Sequence, residues 1–126
     1  MKRIASIILS ISVMVLLSCS DELGDSPAAF SFEAPEAPDG LEITPGPNQL
    51  VLEWTYPGDP AEVSGYIVYY DYEAYGVQEV IDTVSTTTYT DDGLIGNMIY
   101  CYKVSALNLD RIEGRRSGTE CGTAGD

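Results

Sequence analysis

Alternation of apolar and polar residues, broken at short intervals by glycine and proline, is the feature that most constrains the fold of this chain. A period of two places successive side chains on opposite faces of a β-strand, whereas a helix needs apolar residues three and four apart. From Ala34 onward no segment carries the helical period. Turn residues separate strand-like runs at intervals of about ten residues, which is typical of a β-sandwich. The sequence therefore predicts an all-β domain of seven short strands, near Leu41–Thr44, Leu50–Thr55, Tyr66–Asp71, Val77–Val84, Thr86–Thr90, Tyr100–Ala106 and Arg116–Cys121.

The N-terminal residues have a different pattern. Lys2 and Arg3 precede an apolar run, Ile4–Leu17, that only serines interrupt. As a helix this run would be roughly 21 Å long at about 1.5 Å per residue, whereas the hydrocarbon core of a bilayer is about 30 Å thick. Residues 1–18 are therefore interpreted as a signal peptide, and an uncleaved membrane anchor is the alternative.

The end of the apolar run, Leu16-Leu17-Ser18-Cys19, resembles the lipobox of bacterial lipoproteins. The resemblance implies that a lipid is attached to Cys19 and that the chain is cleaved just before it. Residues 19–33 are then a lipidated tether, because they are polar, contain glycine and proline, and have no sustained period. The membrane is an expected partner through this lipid, and the expected location is the cell envelope, at the outer membrane or cell surface.

Several motifs follow one another along the strand-like runs. They are the opening Ala37-Pro38-Asp39-Gly40-Leu41, Trp54 on the second strand, the third strand Gly65–Tyr70, Leu94 followed by Tyr100-x-Tyr102-x-Val104-x-Ala106-x-Asn108, and Ser117 near the last strand. In order and spacing they resemble the motifs of a fibronectin type III domain. The resemblance implies a seven-stranded immunoglobulin-like β-sandwich over residues 34–122, followed by a short tail at residues 123–126. At the turn that is Gly96-Asn97 in this chain, members of this family often have Pro-Gly.

The inward-facing residues of these strands form the expected core. Tyr100 is expected to hold the tyrosine corner of the family through its hydroxyl group. The other core residues are expected to be Leu41, Leu50, Leu52, Trp54, Tyr66, Val68, Tyr70, Leu94, Tyr102, Val104 and Ala106.

The chain has three cysteines, and assigning Cys19 to a lipid leaves Cys101 and Cys121 as a candidate disulfide. Residue numbers of antiparallel partners have a constant sum. A Cys101–Cys121 pair therefore predicts Lys103 opposite Thr119, Ser105 opposite Ser117, and a hairpin centred on Arg111. Two free thiols are the alternative.

Composition argues against several kinds of chemistry. The absence of histidine removes the usual general base and a common metal ligand. Loss of the signal peptide leaves four cations against 20 carboxylates, a net charge of −16, which disfavours nucleic acid as a partner. We predict no catalytic residues, no cofactor and no metal. A loose calcium site at Asp91 and Asp92, or at Asp59 and Glu62, is the alternative to solvated acids in turns.

Two groups of side chains are candidates for binding. Tyr69, Tyr72 and Tyr75 are expected to lie outside the core and can anchor a protein or stack on a sugar, although tyrosine is also common on solvated sheets. A loop near the C terminus concentrates Arg111, Arg115 and Arg116, but Asp110 and Glu113 are interleaved with them, so local pairing is the alternative.

The sequence thus predicts a non-catalytic, envelope-anchored lipoprotein whose sandwich domain binds a protein or a glycan. The alternative is a structural spacer or an accessory subunit of an envelope complex. An exposed apolar or aromatic surface would favour binding, whereas uniformly acidic, solvated faces would favour a spacer.

Overall fold

The computed structural model describes residues 33–126. The predicted signal peptide, the lipidation of Cys19 and nearly all of the predicted tether lie outside these residues. Within the described part of the chain, no helix is both long enough and apolar enough to cross a membrane.

Seven strands build the domain within residues 33–126, and the prediction of an all-β fold with this strand count is confirmed. Short 3-10 turns, Pro60–Glu62 and Glu73–Tyr75, precede the third and fourth strands. The strands are β1 (Asp39–Gly46), β2 (Gln49–Thr55), β3 (Val63–Tyr72), β4 (Val77–Val84), β5 (Thr88–Asp91), β6 (Ile99–Asn108) and β7 (Glu120–Thr123).

The strands form two antiparallel sheets. One sheet has the order β1-β2-β5 and the other has the order β4-β3-β6-β7. In the larger sheet β3 and β6 are central, so β4 and β7 are its edges. The inner faces of the two sheets enclose the core, as the alternating pattern predicts.

The core is close to the predicted one. Leu41, Tyr70 and Tyr100 are only partly buried and pack against it, whereas Ala124 belongs to it and was not predicted. The rings of Trp54 and Tyr66 meet edge to face, with centroids 5.5 Å apart. The buried members are Leu50, Leu52, Trp54, Tyr66, Val68, Leu94, Tyr102, Val104, Ala106 and Ala124.

The tyrosine corner is present. The hydroxyl oxygen of Tyr100 accepts a hydrogen bond from the backbone N–H of Ile95 at 3.0 Å, which confirms the predicted role of this residue. In the adjoining turn the N–H of Met98 donates to the carbonyl of Ile95 at 3.3 Å, and Asn97 has φ of +62°. Asparagine tolerates this left-handed region, which explains how Gly96-Asn97 can stand where the family often has Pro-Gly.

The last strand begins later than predicted. Cys101 pairs with Cys121 as expected, but the N–H of Ser117 donates to Val104 at 2.7 Å, so the predicted pairing of Ser117 with Ser105 is wrong. The Ser117 hydroxyl also accepts from the N–H of Val104 at 2.9 Å. The backbone N–H and the side-chain hydroxyl of Ser117 thus both bond to Val104. The register of the β6–β7 pairing shifts at this point, and the regular ladder between the two strands begins only at Glu120.

The sandwich also continues beyond Gly122. Residues 123–126 were expected to be a short tail, but Thr123 is in β7 and Ala124 is only 1% exposed. Gly125 exchanges backbone hydrogen bonds with the β1–β2 turn, where its N–H donates to Gly46 at 3.0 Å and its carbonyl accepts from Asn48 at 2.9 Å. These residues therefore help to close one end of the domain.

The connections divide between two ends of the sandwich. One end, called here the β3–β4 end, holds the β1–β2 turn, the Glu73–Tyr75 turn, the β5–β6 loop and residues 124–126. The opposite end holds residues 33–38 and the β6–β7 loop. There the side-chain amide of Asn108 donates to the backbone carbonyl of Glu33 at 3.3 Å. Tyr72 and Tyr75 consequently lie at the end of the domain opposite to Arg111 in the β6–β7 loop.

Candidate functional site

The predicted disulfide between Cys101 and Cys121 is confirmed, with the two Cα atoms 4.0 Å apart. Cys101 faces away from the core, because its neighbours Tyr100 and Tyr102 face inward. The bond therefore joins β6 to the edge strand β7 on the outer face of the larger sheet. It is a structural link rather than a reactive site.

Tyr69 lies on the outer face of the same sheet, as alternation predicted, but it is buried there. Only 3% of the residue is exposed, so the prediction that it is an exposed tyrosine is wrong. The guanidinium carbon of Arg116 lies 3.9 Å from the centre of its ring, and its hydroxyl donates to Glu113. Burial, followed by this hydrogen bond, raises the pKa of Tyr69.

Arg116 is engaged locally. Its Nε lies 3.5 Å from Oε1 of Glu113, and its guanidinium donates to the side chain of Gln78 on β4. Burial by itself would raise the pKa of Glu113, but hydrogen bonds from the hydroxyls of Tyr69 and Ser105, together with Arg116, outweigh it and lower that pKa. Local pairing, the alternative to binding, is therefore what the structure shows for Arg116.

Arg111 and Arg115 are exposed, and neither forms an ion pair with another residue of the described segment. Arg111 has φ of +62° and donates its N–H to the carbonyl of Asn108 at 3.0 Å. The side-chain oxygen of Asn108 accepts from the N–H groups of Asp110 and Ile112, at 3.0 and 2.8 Å. The loop that presents the two arginines is thus held by its own hydrogen bonds.

Tyr72 and Tyr75 are exposed, at 44% and 82%. Tyr72 ends β3, and its hydroxyl lies 3.4 Å from Oε2 of Glu79 on β4, whereas Tyr75 projects from the turn between these strands. Eight large apolar side chains are exposed in the described domain. Six of them belong to the β3–β4 end, namely Tyr72, Tyr75, Val77, Ile95, Met98 and Ile99.

A buried polar cluster in the core was not predicted. Asp91 is only 8% exposed, and its Oδ2 accepts hydrogen bonds from the hydroxyls of Tyr70 and Tyr102, both at 2.6 Å. Burial, followed by the bond to Asp91, raises the pKa of both tyrosines, which keeps them protonated as donors. The interpretation of Asp91 as a solvated turn acid is wrong, because β5 continues through it and directs its side chain inward.

The period of β5 could have revealed this cluster. Tyr89, two residues before Asp91, packs against the core, so extending the strand by one residue places Asp91 on the same face. Of the other candidate calcium ligands, Asp59 accepts from the N–H of Ala61 at 2.9 Å and caps the first 3-10 turn. In residues 33–126, no group of three or more acidic, histidine or cysteine side chains could hold a metal ion.

Comparison with known sequences gives one partial relative. No protein-family model matches the chain. An α-amylase of Niallia circulans is 36% identical over 85 residues, which are 67% of this chain. The chain spans only 6% of the length of that enzyme, so the similarity concerns a small part of it.

Solved structures define the class of fold. An Fn3-like protein from Clostridium thermocellum has a TM-score of 0.62 and 28% identity over 75% of this chain and 97% of its own. The fibronectin type III domain of human fibronectin type III domain containing protein 3 has a TM-score of 0.63 and 21% identity, over 78% and 93% of the two chains. A β-1,2-glucanase from Parabacteroides distasonis has a TM-score of 0.63 and 18% identity, but only 13% of its chain is covered. The protein therefore has a fibronectin type III-like β-sandwich.

Proposed function

We propose that this chain is an envelope lipoprotein, anchored through Cys19, whose fibronectin type III-like domain is a non-catalytic binding module. The observation that carries the proposal is the concentration of exposed apolar and aromatic side chains at the β3–β4 end. A spacer needs only a stable, solvated sandwich, and six exposed large apolar side chains at one end do not serve that purpose. Exposed apolar side chains grouped in one part of a protein are typical of interaction sites.

Similarity to part of an α-amylase supports a module rather than a complete enzyme. The similar segment forms 6% of that protein, and the likeness to the β-1,2-glucanase likewise covers 13% of its chain. Most of each enzyme therefore lies outside the region that resembles this domain. An accessory role beside larger envelope or carbohydrate-active proteins is compatible with this distribution, and the partner is proposed to be a protein or a glycan.

The lipid anchor is supported by the charged start, the short apolar run and the lipobox-like Leu16-Leu17-Ser18-Cys19. With its signal intact, the protein should partition into the detergent phase and incorporate a labelled fatty acid. Cys19→Ala should abolish both, because the thiol is the proposed attachment site. Labelling of that variant would place the anchor elsewhere.

Site-specific photocrosslinking in the native envelope tests binding directly. A photoreactive amino acid is placed at Tyr75, or at Ile99 in the same end, and at exposed Glu62 in the opposite half as the matched control. Binding predicts a discrete adduct at Tyr75 or Ile99 and none at Glu62. Absence of adducts at all three positions would contradict the binding function and favour a spacer.

A further inference from the structure

Strand β4 combines three properties that together indicate a particular partner. It is an edge of the four-stranded sheet, because within residues 33–126 its only neighbour in the sheet order is β3. Its pairing with β3 is regular from Val77 to Val80, opposite Tyr72 to Tyr69, and shifts register only beyond that point. The side of β4 away from β3 therefore presents a row of backbone donors and acceptors to which another strand could pair.

The side chains of this edge are acidic and apolar. Glu73, Glu79 and Asp82 are exposed, and no lysine or arginine occurs from Glu73 to Val84. Arg116 reaches β4 at Gln78, where it is already paired with Glu113 and stacked on Tyr69. Acidic side chains at this edge therefore outnumber Arg116, the cation that reaches it.

This charge selects among possible occupants. A second copy of β4 would bring its own carboxylates against these, and like charges opposite each other in a sheet are destabilising. A cationic strand meets the same carboxylates favourably. The large negative charge of the whole chain also favours encounter with a cationic partner.

The apolar side chains favour a protein over a sugar. Val77 and Val80 are exposed on β4, and Tyr72 and Tyr75 flank its start. Because successive residues alternate in direction, Val77 lies with Glu79 on one face and Val80 with Gln78 on the other. Aliphatic side chains on both faces fit the alternating side chains of an added strand, whereas stacking on a sugar uses aromatic rings.

We infer that β4 binds an extended, cationic segment of a partner protein as an additional strand of the sheet. The inference rests on the proposed binding function and specifies the partner. Main-chain hydrogen bonds along β4 would provide affinity, the carboxylates would select lysine or arginine, and Tyr72 and Tyr75 would contact the segment as it leaves the edge.

A designed peptide tests strand addition without knowledge of the natural partner. The probe is a peptide of alternating lysine and valine, as long as β4, with the amides of alternate residues methylated. Such a peptide has one hydrogen-bonding edge and cannot assemble with itself beyond a pair. It is titrated into full-length protein in detergent micelles, and hydrogen exchange of individual amides is followed by NMR.

Strand addition predicts protection of the β4 amides that point away from β3. A peptide methylated at every amide, and one with glutamate in place of lysine, should give no protection. Protection elsewhere, or none, would overturn the inference. A response of the Tyr75 resonances to neutral oligosaccharides but not to the peptide would overturn it in favour of a glycan surface.

Charge variants distinguish specific binding of the peptide at β4 from non-specific attraction to the net charge of the protein. Glu79→Lys with Asp82→Lys should weaken peptide binding about tenfold, because two favourable charge contacts become repulsive. Glu42→Lys with Glu53→Lys changes the net charge equally on the other sheet and should leave affinity within about twofold. Equal weakening by both pairs would show non-specific attraction and contradict the inference.

The two proposals can fail separately. Photocrosslinks at Tyr75 in the native envelope, with no protection of β4 by the peptide, would retain a binding function and remove strand addition. Peptide protection without any native crosslink at Tyr75 or Ile99 would show a competent edge and contradict the proposed function.

Discussion

Two regions of the larger sheet treat the same kind of residue differently: its outer face, called here the covered side, and its β3–β4 end with strand β4, called here the open side. On the covered side, Tyr69 of β3 is covered by Arg116 and Glu113, and Cys101 is joined to Cys121. On the open side, Tyr72 and the neighbouring Tyr75 remain exposed, next to carboxylates and the edge strand β4. Tyr70, between Tyr69 and Tyr72 on the same strand, donates into the core.

The position of a tyrosine in a strand determines which face of the sheet it occupies. Whether its side chain is exposed on that face depends on residues from other segments that pack over it. We therefore assign stability to the covered side and the core, and the proposed binding to the open side. Substitutions in the first group should reduce the free energy of unfolding, and substitutions in the second should change only partner capture.

The largest loss of stability is expected from Asp91→Ala. This change leaves the hydroxyls of Tyr70 and Tyr102 without their shared acceptor, and a buried donor left unpaired costs about 1–3 kcal/mol. We expect a loss of about 4 kcal/mol in the free energy of unfolding, measured by denaturant titration. Asp91→Asn retains an acceptor oxygen and should lose about half as much. Equal stability of wild type and Asp91→Ala would show that the cluster contributes nothing.

Removal of the disulfide is expected to have the next largest effect. The bond joins residues 20 apart in sequence, and closing a loop of this size stabilises by about 3 kcal/mol in the entropic description. Cys101→Ala with Cys121→Ala should lower the free energy of unfolding by about this amount. Reductant should destabilise the wild type similarly and leave the double variant unchanged. A reductant effect on the double variant would point to another cause.

The fold was largely predictable because its signals are local. Alternation and turn residues specified seven strands, and the constant sum of paired residue numbers specified the register at Cys101. The same rule predicted the wrong partner for Ser117, because both its backbone N–H and its hydroxyl bond to Val104. Here a side-chain hydroxyl takes the place of a backbone carbonyl as the acceptor, and the alternation of apolar and polar residues does not reveal such a substitution.

The candidate site was less predictable because it depends on residues distant in sequence. Tyr69 is covered by residues 44 and more positions later, and no pattern within β3 indicates this. Asp91 was predictable in principle from the period of β5, but an aspartate beside Asp92 and Gly93 also fits a turn. Tyr72 and Tyr75 are exposed as predicted.

A smaller, pH-dependent effect is expected at Glu113. Its lowered pKa means that the folded state favours the carboxylate, so its stabilisation is present above the ordinary value of 4.5 and is lost as the pH falls through the lower folded value. Since Glu113 is partly exposed, the difference between wild type and Glu113→Gln should be below about 1 kcal/mol at neutral pH. Denaturant titrations should show this difference shrinking below pH 4.5. A difference that does not change with pH would contradict the role of the charge.

The smallest effect on stability, and the largest on binding, is expected on the open side. Tyr72→Ser with Tyr75→Ser removes two exposed rings, of which Tyr75 is 82% in solvent, so the free energy of unfolding should change by less than about 0.5 kcal/mol. Capture of a partner should fall strongly, since exposed aromatic side chains are frequent anchors of interfaces. Arg111→Ser with Arg115→Ser, at the opposite end, is the matched control for surface substitution and should leave capture unchanged. If the arginine pair abolishes capture and the tyrosine pair does not, the binding surface lies on the β6–β7 loop, and the assignment of binding to the β4 side is wrong. If the tyrosine pair instead destabilises the domain substantially, those rings pack on the sandwich, and the division between a stabilising side and a binding side does not hold.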